Sequence, residues 1–398
     1  MTGKKLELYI HIPFCVRKCK YCDFLSAPAE EYIRDMYIRQ LIEEISVQSQ
    51  FYTDYVVSTI FFGGGTPSIL KSVHITNIMS AIYANWTVAA NAEISLEANP
   101  GTLSQERLMN YRTAGINRLS IGLQSANNSE LKVLGRIHTF EDFLESYETA
   151  RNAGFDNINV DLISGVPGQT LTSWKNTVKR TAMLKPEHIS AYSLIIEEGT
   201  EFHELYSSGE GKKLLPDEDT ERAMYHDGVE MLAAKGYARY EISNFAKPGY
   251  ESRHNLRYWQ MKEYLGFGPG AHSDVNGVRF AYEKDLAAYI RGDWQLSERE
   301  EIPPLERDME YIMLSLRTAA GIDRDFFENA YRQSFAPMEK LFETYETHGL
   351  AQRTERGWRL TPKGFFVSNS IIVALQEAEG EEKMRKVRQA HEGNFRIV

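Results

Sequence analysis

Cysteine is scarce in this 398-residue sequence, and that scarcity narrows the chemistry open to it. The three cysteines, Cys15, Cys19 and Cys22, lie together in the stretch FCVRKCKYCDF, and no other occurs along the chain. An odd number of thiols in so long a chain argues against a disulfide framework. The absence of a second cysteine pair also weakens the case for structural zinc, which usually takes four protein ligands.

Long apolar runs are missing as well. No segment approaches the length needed to cross a bilayer, and the opening MTGKKLELYIHIPF has no apolar signal-peptide core. The net charge of −10 gives no electrostatic basis for binding nucleic acid. With 42% apolar and 25% charged residues, the composition is that of an ordinary globular protein. We therefore expect a cytoplasmic protein that does not bind nucleic acid.

The cysteine stretch leaves two kinds of metal site to consider. His11, four residues before Cys15, could complete a Cys3His zinc site, although LYIHIP has the alternation of a strand. Thiolates are also the usual ligands of iron–sulfur clusters, and a four-iron cluster takes four ligands. Three thiols would leave one iron open for an external ligand. Lys18 and Lys20 would offset the negative charge of thiolates and sulfides.

The first half of the chain alternates between predicted strands and helices. Strands are predicted at 6–12, 58–62, 93–98, 118–123, 157–163 and 188–194, with helices near 29–50, 140–152 and 170–184. Such a succession of βα units predicts parallel strands joined by right-handed crossovers. A partial barrel and a doubly wound sheet both fit this pattern. Both place a functional site at the carboxyl ends of the strands.

Polar residues stand at several of these strand ends. In FFGGGTP, three glycines follow the second strand; they allow the backbone to approach a ligand, and no Lys-Ser/Thr follows to make a phosphate loop. Glu97, Gln124 and Asp161 end, or lie late in, the third, fourth and fifth strands. Buried carboxylates need partners. These groups therefore predict either an internal layer of ion pairs or a ligand site.

The spacing C-x3-C-x2-C resembles the cluster motif of radical S-adenosylmethionine (SAM) enzymes. In that family three cysteines hold a 4Fe-4S cluster, and SAM chelates the open iron through its amino and carboxylate groups. Electron transfer from the cluster then cleaves SAM to a 5'-deoxyadenosyl radical. The resemblance implies that Cys15, Cys19 and Cys22 bind the cluster and that the fold is an α/β open partial (βα)6 barrel.

The same resemblance assigns the strand-end residues to SAM. The glycine-rich stretch is expected to hold the methionyl amino group, and Arg136, in LGRIH, suits the methionyl carboxylate. Carboxylates suit the ribose hydroxyls or the amino group. The implied cofactor-binding residues are Tyr9, Tyr21, Gly64, Gly65, Thr66, Glu97, Gln124, Arg136 and Asp161, with the two tyrosines packing beside the cluster.

Further motifs narrow the resemblance and extend it over nearly the whole chain. LYIHIPFC, FFGGGTPS, SLEANP, RLSIGLQS, VDLISGVPGQT, YSLIIEEGT and GFGPGAHS resemble the oxygen-independent coproporphyrinogen-III-oxidase-like group. Helical segments near 304–318 and 335–347, then a hairpin turning at 355–357, resemble that group's small winged-helix-like carboxyl-terminal domain. The predicted organisation is a barrel with the cluster and SAM site over 1–200, a barrel extension over 201–299, the small domain over 300–378 and a charged tail over 379–398.

The group contains an oxidase branch and a haem-chaperone branch. The oxidase branch, which converts coproporphyrinogen III, carries an extra cysteine two positions after the third cluster ligand; here that position is Phe24. The chaperone branch has CDF there, and it carries a haem-associated motif of the form H-N-x-x-Y-W, matched by HNLRYW at 254–259. The resemblance therefore implies haem as a further cofactor, bound by His254, Asn255, Tyr258 and Trp259.

Taken on its residues alone, HNLRYW leaves alternatives open. An imidazole is a good axial ligand for haem iron, and Tyr258 and Trp259 offer flat apolar faces to a porphyrin. A His-Asn pair is equally a common hydrogen-bonded corner, and a Tyr-Trp pair is often core. Four other histidines compete as iron ligands: His138, His188, His203 and His272.

Three hypotheses for the function follow. The first is a radical-SAM-type haem chaperone that binds haem and a 4Fe-4S cluster and delivers haem to respiratory membrane proteins, which it would meet at the membrane surface. The second is an oxygen-independent coproporphyrinogen III oxidase, which Phe24 disfavours. The third is a radical SAM enzyme acting on an unrelated substrate. The SAM motifs are compatible with SAM cleavage in each case, and a homodimer is compatible with the sequence.

Overall fold

The structure, a computed structural model, describes residues 3–394 and separates into two compact units. The first unit comprises the chain up to 238 with 243–258 and 262–301, and the second comprises 239–242, 259–261 and the chain from 302 onward. Of the predicted charged tail, residues 395–398 lie outside the described residues. Within 3–394, every helix is too short or too polar to cross a membrane.

Strands and helices alternate through the first unit. The strands of the described chain are β1 (Lys4–Ile12), β2 (Tyr55–Gly64), β3 (Val88–Ala98), β4 (Arg118–Gln124), β5 (Ile158–Ser164), β6 (His188–Ser193), β7 (Ala238–Arg239), β8 (Asn244–Ala246), β9 (Tyr264–Phe267), β10 (His272–Val275), β11 (Val278–Tyr282), β12 (Leu296–Glu301), β13 (Ile322–Asp323), β14 (Ala351–Arg353) and β15 (Gly357–Leu360).

The helices connect these strands and form most of the second unit. They are α1 (Glu31–Gln48), α2 (Ser72–Asn85), α3 (Gln105–Thr113), α4 (Asn128–Val133), α5 (Phe140–Asn152), α6 (Leu171–Met183), α7 (Glu201–Tyr206), α8 (Gly209–Lys212), α9 (Glu218–Ala233), α10 (Arg253–Trp259), α11 (Leu286–Ile290), α12 (Asp308–Ser315), α13 (Arg324–Tyr331), α14 (Ala336–Thr347), α15 (Pro362–Phe366) and α16 (Ser368–Asn394).

Strands β1 to β6 form a parallel array, in chain order, at the centre of a twelve-stranded sheet. Beyond β1, the sheet continues through the parallel β9 into the antiparallel β10, β11 and β12. Beyond β6, it continues through the antiparallel β8 to β7. Because β12 and β7 are the two edges, the sheet stays open. The predicted partial (βα)6 barrel with an extension is therefore confirmed.

The edge strand β12 differs from the central strands in exposure and charge. Its sequence is LSEREE, and all six residues are exposed. By contrast, β4 is buried along its whole length, as expected for a parallel strand covered by helices. One such helix is α6, which begins after its N-cap Thr170 and buries Trp174 and Val178 one turn apart.

The inside of the barrel is lined by alternate residues of its strands. The register between β1, β2 and β3 aligns three rows across the sheet: Glu7 with Thr59 and Glu93, Tyr9 with Phe61 and Ser95, and His11 with Gly63. Glu97 lies two residues beyond Ser95 on β3. Because successive side chains of a strand point to opposite faces, these rows share one face. The first row lies toward the amino ends of the strands and the last toward their carboxyl ends.

The second unit is built around a three-stranded antiparallel sheet in the order β13-β15-β14. Its core contains a stack of aromatic rings, in which Phe342 lies between Phe335 and Trp358 with centroid distances of 6.0 and 5.3 Å. The hairpin β14–β15 turns at 354–356, and α16 follows. This small sheet with helices confirms the predicted small carboxyl-terminal domain.

Candidate functional site

The cysteine stretch forms a loop between β1 and α1. The backbone N–H of Cys15 donates to Ala27 O at 3.2 Å, and that of Cys22 donates to Cys19 O at 3.2 Å. All three thiols are free and half-buried. They line a single cavity of about 510 Å³ at the carboxyl ends of the barrel strands. The loop therefore presents its three thiols to one space.

His11, the alternative zinc ligand, lies beneath this loop. Its Nδ1 is 3.1 Å from the hydroxyl of Tyr9, and its Nε2 is 3.1 Å from Leu25 O. Burial lowers the pKa of His11 to about 4, so the ring is neutral and supports the loop. Within 3–394, no three His, Cys, Asp or Glu side chains are gathered closely enough to hold a single ion.

The donor set fits an iron–sulfur cluster. Each thiolate of a cluster binds a different iron, so the sulfur atoms need not converge on one point as they must around a single ion. The three thiols would supply three of the four ligands of such a cluster, and the cavity that they line continues beyond them. Sγ of Cys15 also lies 3.4 Å from Oγ1 of Thr66, which ties the loop to the glycine stretch.

The glycine stretch at the end of β2 requires glycine for steric reasons. Gly64 has a φ of +108°, and a Cβ atom there would lie 2.5 Å from Cε1 of His11. A Cβ on Gly65 would lie 2.6 Å from Phe14 O. Any larger residue would push this backbone away from the cysteine loop. The result is a strip of bare backbone on the cavity wall, which suits close approach by a ligand.

Two carboxylates face the cavity from β3 and β5, the strands on either side of β4. Glu97 Oε2 accepts from the backbone N–H of Gly64 at 3.2 Å, and Asp161 accepts from Ser120 and Asn159 at 2.8 and 2.7 Å. Burial, together with the charge of Asp161, raises the pKa of Glu97 to about 8. Burial also raises the pKa of Asp161. Both groups are therefore suited to a ligand that brings its own positive charge or hydroxyl donors.

Arg136 reaches the cavity from the loop after α4. Its Nη1 lies 3.5 Å from Sγ of Cys19, and its Nη2 donates to Asn99 Oδ1 at 2.6 Å and to Gly122 O at 2.9 Å. Asn99 also donates from Nδ2 to Thr66 Oγ1 at 2.9 Å. Sequence reasoning missed Asn99, although it stands in SLEANP two residues after Glu97, a spacing that returns a strand to the same face.

Gln124 holds an unusual backbone conformation at the end of β4. Its φ is +69°, a left-handed value that costs energy for a residue with a Cβ. The following turn is fastened by Glu130, whose buried carboxylate accepts from Ser125 Oγ at 2.6 Å, Gln169 Nε2 at 2.8 Å and Ser173 Oγ at 2.5 Å. One side chain thus joins the loops that follow β4 and β5.

The mouth of the cavity is apolar and open to solvent. Phe24 and Ile195 line it with 67% and 66% of their surface exposed, and Tyr192 is 40% exposed beside them. Val16 and Ile137, on the flanking loops, are also exposed. Large apolar side chains gathered at a cavity mouth mark a surface for an apolar ligand or partner.

The HNLRYW segment lies elsewhere. It forms α10, and its His254 meets the row of residues at the amino ends of the barrel strands. Nδ1 of His254 is 2.6 Å from Thr59 Oγ1, and Nε2 is 2.9 Å from the hydroxyl of Tyr258. Its ring stacks on Phe61 with centroids 5.1 Å apart, and burial lowers its pKa to about 3. Both nitrogens of this buried ring are therefore engaged.

An ion pair and a backbone hydrogen bond hold the same segment in place. Arg257 Nε lies 2.5 Å from Glu7 Oε1, and the backbone N–H of His254 donates to Glu93 Oε1 at 3.0 Å. Asn255 and Trp259 are half-buried. In this arrangement α10 closes the amino end of the barrel, at the opposite end from the thiols.

The structure brings most of the predicted site residues together. The cavity is lined by Cys15, Cys19, Tyr21, Cys22, Gly64, Gly65, Thr66, Glu97, Gln124, Arg136 and Asp161. Tyr9 is not among the lining residues; it lies one row below, where its hydroxyl is 3.1 Å from Nδ1 of His11. The four predicted haem residues are not among the residues that line it.

The chain is similar to known proteins over most of its length. The family model of the Radical SAM superfamily matches residues 9–181, and that of the HemN C-terminal domain matches 302–367. The heme chaperone HemW of Lactococcus lactis subsp. lactis is 36% identical over 379 residues, covering 94% of this chain and 97% of that protein. The heme chaperone HemW of Escherichia coli is 34% identical over 381 residues, covering 92% and 97%.

A solved structure is similar over the same extent. Coproporphyrinogen III oxidase (HemN) from Escherichia coli, described as a radical SAM enzyme, superposes with a TM-score of 0.81 at 25% identity. The match covers 94% of this chain and 90% of that one. The superposition therefore extends over most of both chains.

Proposed function

Because the chain belongs to the radical SAM family that includes the heme chaperone HemW proteins, we propose that it binds haem and delivers it to respiratory membrane proteins. The observation that supports this most directly is the exposed apolar mouth formed by Phe24, Tyr192 and Ile195 above the three thiols. A porphyrin is a flat apolar ligand, and such a surface would cover one of its faces.

The carboxyl-end cavity is the proposed site of a 4Fe-4S cluster and SAM. Cys15, Cys19 and Cys22 would hold the cluster, which with SAM supplies one-electron reductive cleavage when both are bound. The backbone at Gly64 and Gly65 would accept from the methionyl ammonium group. Nη atoms of Arg136 already face the thiol side of the cavity, where the methionyl carboxylate would lie.

The carboxylates complete the SAM site. Glu97 stands beside the glycine backbone and would face the ammonium group in its ionised form. Asp161 is oriented by donors from Ser120 and Asn159, so its remaining lone pairs are available to ribose hydroxyls. Gln124 and Tyr21, which line the same cavity, would bound the adenosine part and the cluster loop.

We also propose that the HNLRYW segment binds haem, which requires the ring of His254 to move. His254 can reach iron only if its ring leaves Thr59 and Tyr258, because both nitrogens are engaged in the described structure. The apolar mouth requires no such change. Substitutions at the HNLRYW segment and at the apolar mouth can distinguish these two haem sites, since the two lie at opposite ends of the barrel.

One second function is favoured by a specific observation. The similarity to the Escherichia coli oxidase structure extends over 94% of the chain, so turnover of coproporphyrinogen III is the alternative. Phe24, where the oxidase branch carries a thiol, argues against it.

A paired assay on one sample tests the proposal. The protein is reconstituted anaerobically with iron and sulfide, then divided between a haem titration and a coproporphyrinogen III turnover assay with SAM. We expect saturable haem uptake in proportion to protein and no product beyond a single equivalent. Sustained formation of protoporphyrinogen would establish the oxidase instead, and absence of saturable haem uptake would remove the chaperone.

A further inference from the structure

Arg118 is a buried cation inside the barrel that the proposed cofactor contacts leave unexplained. It begins β4 and pairs in register with Ser95, while Ser120 of the same strand pairs with Glu97. Its side chain therefore points to the face that lines the barrel interior. It is 2% exposed, and its Nε has no hydrogen-bond partner among the described residues.

A buried guanidinium without a salt bridge is costly unless charges nearby compensate it. Within 3–394, no carboxylate lies within ion-pair distance of Arg118. The charge of Arg118 must therefore be offset by groups that are farther away, in the rows of polar side chains that line the barrel interior. The titratable groups that face this interior are Glu7, Tyr9 and His11 on β1, Glu93 and Glu97 on β3, Asp161 on β5, His188 on β6 and His254 on α10.

Four of these groups respond to the charge of Arg118. Burial raises the pKa of Glu97 and of Asp161, and Arg118 opposes that rise in both. Burial lowers the pKa of His188 and of His254, and Arg118 lowers each further. One cation thus favours the charged form of the two cavity carboxyls and the neutral form of two buried histidines.

We propose that Arg118 is a positioning residue whose buried charge favours the carboxylate forms of Glu97 and Asp161 that a zwitterionic ligand such as SAM would meet. This rests on the proposed SAM site. Glu97 can attract an ammonium group only as a carboxylate. Burial and the charge of Asp161 both raise the pKa of Glu97 and so oppose formation of that carboxylate. Without Arg118 the two carboxyls would lose their protons only at higher pH, so SAM would bind more weakly at neutral pH.

The test is the pH profile of SAM affinity, measured by calorimetry on the anaerobically reconstituted protein between about pH 6 and about pH 9. For Arg118→Gln we expect the rise in affinity to move to higher pH, with a loss at neutral pH of about tenfold for each unit by which the carboxyl pKa increases. Arg118→Lys, which keeps a cation, should retain most of the wild-type profile. Infrared absorption of protonated carboxyl groups in the SAM-free protein should increase in Arg118→Gln alone.

Two results would overturn the proposal: an Arg118→Gln affinity that is unchanged, or one reduced equally at every pH. A wild-type protein that binds its cluster but no SAM would instead remove the proposed SAM site. If Arg118→Gln does not fold at neutral pH, its stability is compared at about pH 5. Carboxyls whose folded pKa is raised destabilise the protein least near their unfolded pKa, so the deficit should shrink there. A deficit equal at both pH values also contradicts the proposal.

Discussion

The guanidinium of Arg136 contacts the thiol of Cys19, with Nη1 and Sγ 3.5 Å apart. Its Nη2 is held by Asn99 and Gly122, both of which are neutral acceptors. The side chain is therefore fixed in the cavity without losing its charge to a carboxylate of the chain. A preorganised cation beside the thiols is suited to the carboxylate of a ligand that also reaches the cluster.

Arg136→Ala should weaken SAM binding while the cluster still assembles. A hydrogen bond to a charged group is worth about 1.5–3 kcal/mol, so we expect roughly a tenfold to hundredfold loss of affinity. Calorimetry on the reconstituted variant measures it, and iron and sulfide content provide the control. Unchanged affinity would show that Arg136 only supports the loop of Cys19.

Cys19→Ala should abolish the 4Fe-4S cluster, because the remaining two thiols would leave two irons without protein ligands. The measurement is iron, acid-labile sulfide and visible absorbance after anaerobic reconstitution. His11→Asn serves as the matched comparison, since it alters the residue beneath the loop but removes no thiol. If Cys19→Ala keeps wild-type iron and sulfide, the assignment of the three thiols is incorrect.

SAM affinity should depend on pH through Glu97. Burial and the charge of Asp161 raise its pKa to about 8, and the ammonium group of SAM requires the carboxylate. Affinity should therefore fall by up to about tenfold for each pH unit below that value and level off above it. Glu97→Gln should flatten the profile, whereas Asp161→Asn should move the rise to lower pH by removing a charge that opposes ionisation. A wild-type profile retained in Glu97→Gln would place the titrating group elsewhere.

Glu130→Gln should loosen the cavity without touching a ligand. The amide nitrogen would replace one of the two oxygens that accept from Ser125, Gln169 and Ser173, and a buried group left without a partner costs about 1–3 kcal/mol. We expect lower stability in chemical denaturation and weaker SAM binding through displacement of Gln124. Glu141→Gln, on the exposed start of α5, is the control. Full retention of both properties would mean that Gln124 is held by other contacts.

Two variants should show whether haem binds at the cavity mouth or at α10. Phe24→Ser removes an exposed ring at the cavity mouth; because burying a phenylalanine contributes about 1.5–3 kcal/mol, haem affinity should drop by about tenfold or more. His254→Ala should change the Soret band only if that ring becomes an iron ligand, and cluster content and SAM affinity should stay intact. Val73→Ser, another exposed apolar side chain, is the control. Equal haem affinity in all three variants would contradict both places.

Most of the barrel was predictable because its strands are buried on both faces and their helices are amphipathic. The fourth strand was predicted at 118–123 and observed at Arg118–Gln124, and the helix predicted at 140–152 is α5. The extension was not predicted strand by strand. Its strands are short or, like β12, wholly exposed, so they lack the apolar alternation by which a strand is recognised.

The site shows a similar division. Glu97, Gln124 and Asp161 were predictable from their places at strand ends, where parallel strands converge. The role of His11 beneath the loop was not, because a histidine in an alternating strand gives no sign of which backbone carbonyl its ring will reach. Nor could sequence spacing show that His254 would meet Thr59, since that contact joins segments 195 residues apart.

The exposed, charge-rich strand β12 limits how two copies of this chain can assemble. A bare sheet edge is a template for another strand, and two such edges could in principle join into one continuous sheet. Here Glu298, Glu300 and Glu301 would be brought against the same acidic strand of the second copy, and like charges placed across strands repel. A homodimer, if it forms, should therefore use a face rather than this edge, and neutralising these glutamates should promote self-association.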